Sequence, residues 1–100
     1  MNSGRFQNII NTGKPVLVDF YTDWCGPCKK MVPVLKELKA DLKESIRIIK
    51  VNVDKNPFIA TTYNIRNIPT IMLFKKGKAV WVDTGFKTTS ELKSALDDHI

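Results

Sequence analysis

The chain has very few of the residues that build metal sites or disulfide frameworks: two cysteines and one histidine, His99, in 100 residues. A structural zinc site needs about four nitrogen or sulfur ligands, and there is no second cysteine pair to complete one. Long apolar runs are missing too. The longest, such as Ile71-Met72-Leu73-Phe74, cover only a few residues, whereas a helix needs about 20 to cross a bilayer, so no membrane segment is expected. The first fifteen residues carry Arg5 and Lys14 but no apolar stretch followed by a small-residue cleavage site. A reducing, cytoplasmic setting is expected on that ground. Repeats and low-complexity tracts are absent as well.

What remains is an ordinary globular composition, 43% apolar and 26% charged, far from that of disordered or fibrous chains. One hundred residues suffice for one core but not for two, so a single domain over residues 1–100, one site and a monomer are expected. Sixteen Lys and Arg against ten Asp and Glu give a net charge of +6, which steers acidic partners inward. The basic residues are scattered, with Lys29-Lys30 and Lys75-Lys76 as the only adjacent pairs. No basic helix, zinc-finger spacing or interleaved aromatic accompanies them, and no nucleic-acid partner is expected.

Val16-Leu17-Val18-Asp19-Phe20-Tyr21 is a β-branched and aromatic run without alternation, which predicts a central strand covered on both faces. Met31, Leu35, Leu38 and Leu42 recur at helical spacing and predict a helix from about Pro27 to Lys43. Ile46 to Val53 reads as a second strand, ended by Asp54-Lys55-Asn56-Pro57, which opens a short helix through about Tyr63. Ile71 to Phe74 and Ala79 to Thr84, joined by Lys75-Lys76-Gly77-Lys78, predict an antiparallel hairpin. Thr88-Thr89-Ser90-Glu91 has the capping-box form ahead of Leu92 and Leu96. Phe6, Ile9 and Ile10 predict a short leading helix. Together these make an α/β fold: a mixed sheet of about four strands with helices on both faces.

Cys25 and Cys28 lie three positions apart, so a bond between them removes little entropy from the unfolded chain and staples poorly. A Cys-x-x-Cys that follows a strand and opens a helix has another use. The helix start offers unpaired N–H groups and a partial positive charge, and both stabilise a thiolate at Cys25. Pro27 lacks an N–H where none is needed and fixes φ in the first turn, while Gly26 leaves the approach to Cys25 open. Two inert buried cysteines or a metal site are the competing readings. Asp19, within the apolar strand, is either a solvated strand end or a buried carboxylate with a raised pKa. In the second case it lies beneath the cysteine turn and takes the proton of Cys28, directly or through a water.

With Val18-Asp19-Phe20, Trp24-Cys25-Gly26-Pro27-Cys28-Lys29, Asn56-Pro57, Tyr63-Asn64-Ile65-Arg66-Asn67-Ile68-Pro69-Thr70 and Gly85 in this order, the chain resembles the thioredoxin family from about Pro15 to its end. The resemblance implies the thioredoxin fold and a protein-disulfide reductase acting on disulfide-containing target proteins. It also implies that no cofactor is bound and that electrons are resupplied from NADPH through a thioredoxin reductase. By position, Cys25 resembles the attacking cysteine, Cys28 the resolving one, Asp19 the buried acid and Lys50 the lysine near that acid. Ile68-Pro69 resembles the loop whose proline is cis, and Trp24, Gly26, Pro27, Ile68, Pro69, Gly85 and Phe86 would border the substrate groove. The sequence also departs from the family pattern. The segment before the central strand is short, so the usual first edge strand is expected to be missing or truncated. Tyr21 stands where many bacterial members carry tryptophan, Asn67 where many carry glycine, and Phe86 where a small residue is common. A thiol oxidase or isomerase, or a binding subunit whose redox chemistry is incidental, are the competing functions.

Overall fold

Val16–Tyr21 forms β1, and its first five residues are fully buried because helices cover both of its faces. The structure, a computed structural model, describes residues 1–100. Its other elements are α1 (Ser3–Ile10), α2 (Gly26–Leu42), β2 (Arg47–Asn52), α3 (Pro57–Thr62), β3 (Thr70–Lys75), β4 (Lys78–Thr84) and α4 (Thr89–Asp97). The four strands form one sheet in the order β2-β1-β3-β4. β1 and β2 are parallel and linked across α2, whereas β3 is antiparallel to both β1 and β4. No strand precedes β1, so β2 is left as an edge of the sheet.

The two-residue period of a strand sorts β1 between two cores. Val16, Val18 and Phe20 pack with Phe6 and Ile10 of α1, Ile59 of α3, Val51, Met72 and Phe74. Leu17 faces the other way, among Met31, Leu35 and Leu38 of α2, Ile71 and Leu73 of β3, and Leu92 and Leu96 of α4. By the same alternation, Asp19 points to the Leu17 side, toward the helix that carries Cys28. The leading helix does more than cap an end: Phe6 is fully buried, with its ring 5.4 Å from that of Tyr63, 5.9 Å from Phe74 and 6.3 Å from Phe20. Burying a side chain of that size contributes about 2 kcal/mol.

The hairpin is longer than expected. The pairings Thr70↔Thr84 and Lys75↔Lys78 extend the ladder, so only Lys76 and Gly77 form the turn. Both have positive φ, 52° and 83°, as a two-residue turn matched to strand twist requires. A Cβ at Gly77 would meet the side chain of Asn11 at 3.3 Å. The Gly77 N–H donates to the carbonyl of Ile10 at 3.0 Å, tying the turn to α1. The expected capping box is present in full: Glu91 N–H donates to Thr88 Oγ1, and Thr88 N–H to the Glu91 carboxylate, each at 3.1 Å. No helix is long and apolar enough to cross a membrane.

Candidate active site

β1 ends at Tyr21, and the chain turns through Thr22, Asp23 and Trp24 into Cys25, the N-cap of α2. Gly26 and Pro27 are the first two helical residues, positions at which the helix needs no N–H from the chain. The Cys28 N–H donates to Cys25 Sγ at 3.2 Å, so one otherwise orphaned amide of the helix start is aimed at that sulfur. Cys25 and Cys28 are joined as a disulfide, with Cα atoms 5.2 Å apart. No acidic residue occupies the first turn, and exposed Lys29 and Lys30 follow directly. Every fixed charge in that turn therefore favours an anion at Cys25 once the bond is open.

Topology brings the remaining groove residues to the same end of the sheet. Thr70, the first residue of β3, pairs with Phe20 near the end of β1 and with Thr84 at the end of β4. Ile68 and Pro69 just before β3, and Gly85 and Phe86 just after β4, thus lie at the end of the sheet from which the cysteine turn departs. The Ile68-Pro69 peptide is cis. The Gly85 N–H donates to the Pro69 carbonyl at 2.8 Å, from a backbone with φ of 85°. Trp24 is 72% exposed and Phe86 41%, with Gly26 and Pro27 also open to solvent. A Cβ at Gly26 would meet nothing within 4 Å. Cys25 itself is buried, while the surface flanking it at Trp24, Gly26, Pro27 and Phe86 is open and largely apolar.

Asp19 is fully buried, and neither of its carboxylate oxygens has a hydrogen-bond partner. That rules out the solvated strand end. Burial pushes its pKa up to about 6, against the opposing pull of the Lys50 ammonium. Lys50 is the register partner of Asp19 across the parallel ladder. It is itself exposed, with Nζ 4.6 Å from the centre of the Tyr21 ring, within the range of a cation–π contact. A cavity of about 160 Å³ beside Cys28 is lined by Tyr21, Thr22, Asp23, Lys29, Val32 and Lys50. Lys50 thus faces Asp19 on one side and borders the Cys28 cavity on the other.

Sequence reasoning missed Asp54, whose carboxylate accepts a hydrogen bond from Trp24 Nε1 at 2.9 Å. It also missed Tyr21 as the seat of the Lys50 ammonium, and the Lys87 N–H that contacts Met31 Sδ at 3.4 Å, linking the end of the hairpin to α2. A larger surface depression, about 620 Å³ between β4 and α4, shares no lining residue with the cysteine turn. No three His, Cys, Asp or Glu side chains come together as a metal ion requires.

The family model described as Thioredoxin matches residues 1–98. The chain belongs to the thioredoxin family. Among similar proteins, Thioredoxin from Pyropia yezoensis is 46% identical over 94 residues, covering 94% of this chain and 88% of that one. Thioredoxin 1 from Synechococcus elongatus is 40% identical over the same shares of the two chains. A solved chain from a structural study of the thiol resolving mechanism in a yeast mitochondrial 1-Cys peroxiredoxin via glutathione/thioredoxin systems superposes with a TM-score of 0.89 at 32% identity. The match covers 97% of this chain and 90% of that one. A thioredoxin-family chain with its paired cysteines at a helix start is a protein-disulfide oxidoreductase working by dithiol–disulfide exchange. The expected fold, four strands with helices on both faces and no first edge strand, is the one observed.

Proposed function

We propose that the protein runs this exchange in the reducing direction, taking two electrons from its own dithiol and giving them to disulfides of target proteins. The Cys25 thiolate attacks one sulfur of the target disulfide, forming a mixed disulfide and expelling the other target sulfur as a thiolate. Cys28 then loses its proton to Asp19 and attacks Cys25 Sγ. The mixed disulfide breaks, the second target thiolate leaves, and Cys25 and Cys28 end as a disulfide. Trp24, Gly26, Pro27, Ile68, Pro69, Gly85 and Phe86 border the groove for the target strand, with Ile68 offering backbone pairing to it. Two electrons and two protons pass to the target, so the chain itself needs no bound cofactor. NADPH resupplies the dithiol through a thioredoxin reductase in the cytoplasm.

The observation that carries this reading is the Cys28 N–H held 3.2 Å from Cys25 Sγ at a helix start free of acidic residues. A Gly-Pro pair between the cysteines supports the reducing direction, because it adds no second cation to over-stabilise the thiolate. Equilibration of the purified protein with glutathione or dithiothreitol mixtures tests it. A potential near or below about −270 mV is expected; one at or above about −180 mV makes oxidation or isomerisation the function instead. Replacing both cysteines by serine separates catalysis from a redox-independent binding role, because only the latter survives the change.

A further inference from the structure

β2 pairs with β1 alone, and the backbone of its outer edge can be followed group by group. The Arg47 N–H donates to the Pro15 carbonyl and the Val53 N–H to the Tyr21 carbonyl, both at 2.9 Å. Those bonds set the phase: odd-numbered residues of β2 turn their amides toward β1, and Ile48, Lys50 and Asn52 turn theirs outward. Side chains close both ends of this outward row. Lys39 Nζ donates to the Ile46 carbonyl at 2.7 Å, and Asn56 Nδ2 to the Asn52 carbonyl at 2.9 Å. Between these closures lie the N–H and C=O of Ile48 and of Lys50, with no partner strand on that side.

The surroundings of this window specify what fits it. A groove of about 250 Å³ runs alongside, lined by Val32 and Leu35 of α2 with Ile48 of β2, and rimmed by Lys36, Lys39 and Lys50. Its floor takes an apolar side chain, and its rim presents cations only. Glu44, which lies near Lys39, is already paired with Lys14 at 3.0 Å. A second copy of the chain is a poor occupant, because antiparallel pairing of two β2 edges would put the lysine-rimmed grooves of both copies, each with Lys36, Lys39 and Lys50, on one face of the continuous sheet.

We infer that the open edge of β2 is a docking site for an extended acidic segment of a partner protein, added as a fifth strand along Ile48 and Lys50. Main-chain bonds to those two residues hold the segment. An apolar side chain enters the groove over Val32, Leu35 and Ile48, and carboxylates two positions to either side, on the same face of the added strand, meet Lys36 and Lys50. The site contains none of the residues that edge the groove at Cys25, although Val32 and Lys50 also border the Cys28 cavity, and it gives the net charge of +6 a local use.

Backbone amide exchange tests this on the whole protein, with three blocked pentapeptides as probes, the first two carrying their charged and apolar side chains on one face: Glu-Thr-Val-Thr-Glu, Lys-Thr-Val-Thr-Lys and Glu-Thr-Pro-Thr-Glu. The first is expected to slow exchange at Ile48 and Lys50 by about tenfold when present at ten times its Kd. Ile49 and Val51, already bonded to β1, should not change. The proline peptide and the basic peptide should give no protection, and Lys36→Glu should weaken the first peptide several-fold while leaving disulfide reduction unchanged. Absence of protection by the acidic peptide, or equal protection by the basic one, overturns the proposal. So does protection of Ile48 and Lys50 that grows with protein concentration in the absence of peptide, because that would assign the edge to a second copy. The peptide comparison needs no variant, so a poorly folding Lys36→Glu protein does not affect the outcome.

Discussion

Asp19 and Lys50 stand opposite each other in the parallel ladder of β1 and β2, yet no hydrogen bond reaches either carboxylate oxygen of Asp19. An ammonium in register lowers the cost of the buried anion without removing it. Desolvation outweighs the attraction, and the acid titrates at about 6 rather than 3.8. The folded state therefore holds the proton more tightly than the unfolded chain does. Stability is highest below the unfolded value, falls as the pH rises from about 4 to about 6, and levels off above that. At about 1.4 kcal/mol per pH unit, the loss comes to about 3 kcal/mol. Urea denaturation of the native protein and of Asp19→Asn at pH 4 and pH 8 measures it. The native protein should lose about 2 kcal/mol more than the variant over that interval, since the unfolded carboxyl is already more than half ionised at pH 4, and parallel pH dependences would contradict the assignment.

The same titration should appear in catalysis. Asp19 can accept a proton from Cys28 only when ionised, so the rate of mixed-disulfide resolution should rise through about pH 6. Asp19→Asn should abolish that inflection and slow resolution by about 10²-fold, while Cys28→Ser should leave the mixed disulfide trapped on Cys25. Lys50→Met removes the one attraction opposing desolvation, so it should move the inflection upward. Rapid-quench measurement of resolution against pH decides among these. An inflection unmoved by Lys50→Met would mean that the cation leaning on Tyr21 does not act on Asp19.

What could be read without the structure was mostly local. The cysteine pair opening a helix, the Thr88–Glu91 box and the run of β1 depend on neighbours within a few positions, and all are as expected. The sequence around Asp19 allows two readings because its burial comes from α2 folding over the Leu17 face, a contact between distant segments. Asp54 carried no signal: it meets Trp24 only because β2 pairs with β1 and ends beside the same turn. The cis form of Pro69 came from family resemblance, since local preference favours trans. Strand order likewise decides that β2 has an open edge, and order is a property of the whole sheet.

Thr88 offers a test of the local reading. It satisfies Glu91 N–H, while Glu91 returns a bond to Thr88 N–H, and the Glu91 carboxyl is held below its usual range by those bonds. Thr88→Ala removes the cap from a nine-residue helix that is anchored by Leu92 and Leu96. The expected loss is about 1 kcal/mol in chemical denaturation, with no change in the Cys25-Cys28 potential. A shift in that potential would mean that α4 is coupled to the active-site turn.

Trp24 and Asp54 join the cysteine turn to the end of β2 by one exposed hydrogen bond at 2.9 Å. Because both groups are solvated, losing the bond should change stability by less than about 1 kcal/mol. Its effect on the groove should be larger. The indole that edges the path to Cys25 would be free to rotate, so a protein target would meet a less ordered surface. Asp54→Ala should therefore raise KM for a protein disulfide several-fold, while reduction of a small, readily reduced disulfide such as 5,5′-dithiobis(2-nitrobenzoate) stays unchanged. Trp24 fluorescence anisotropy should fall in the variant. If KM rises equally for both substrates, the bond acts on the chemistry at Cys25 itself; if neither changes, Trp24 is held by the turn alone and Asp54 plays no part in recognition.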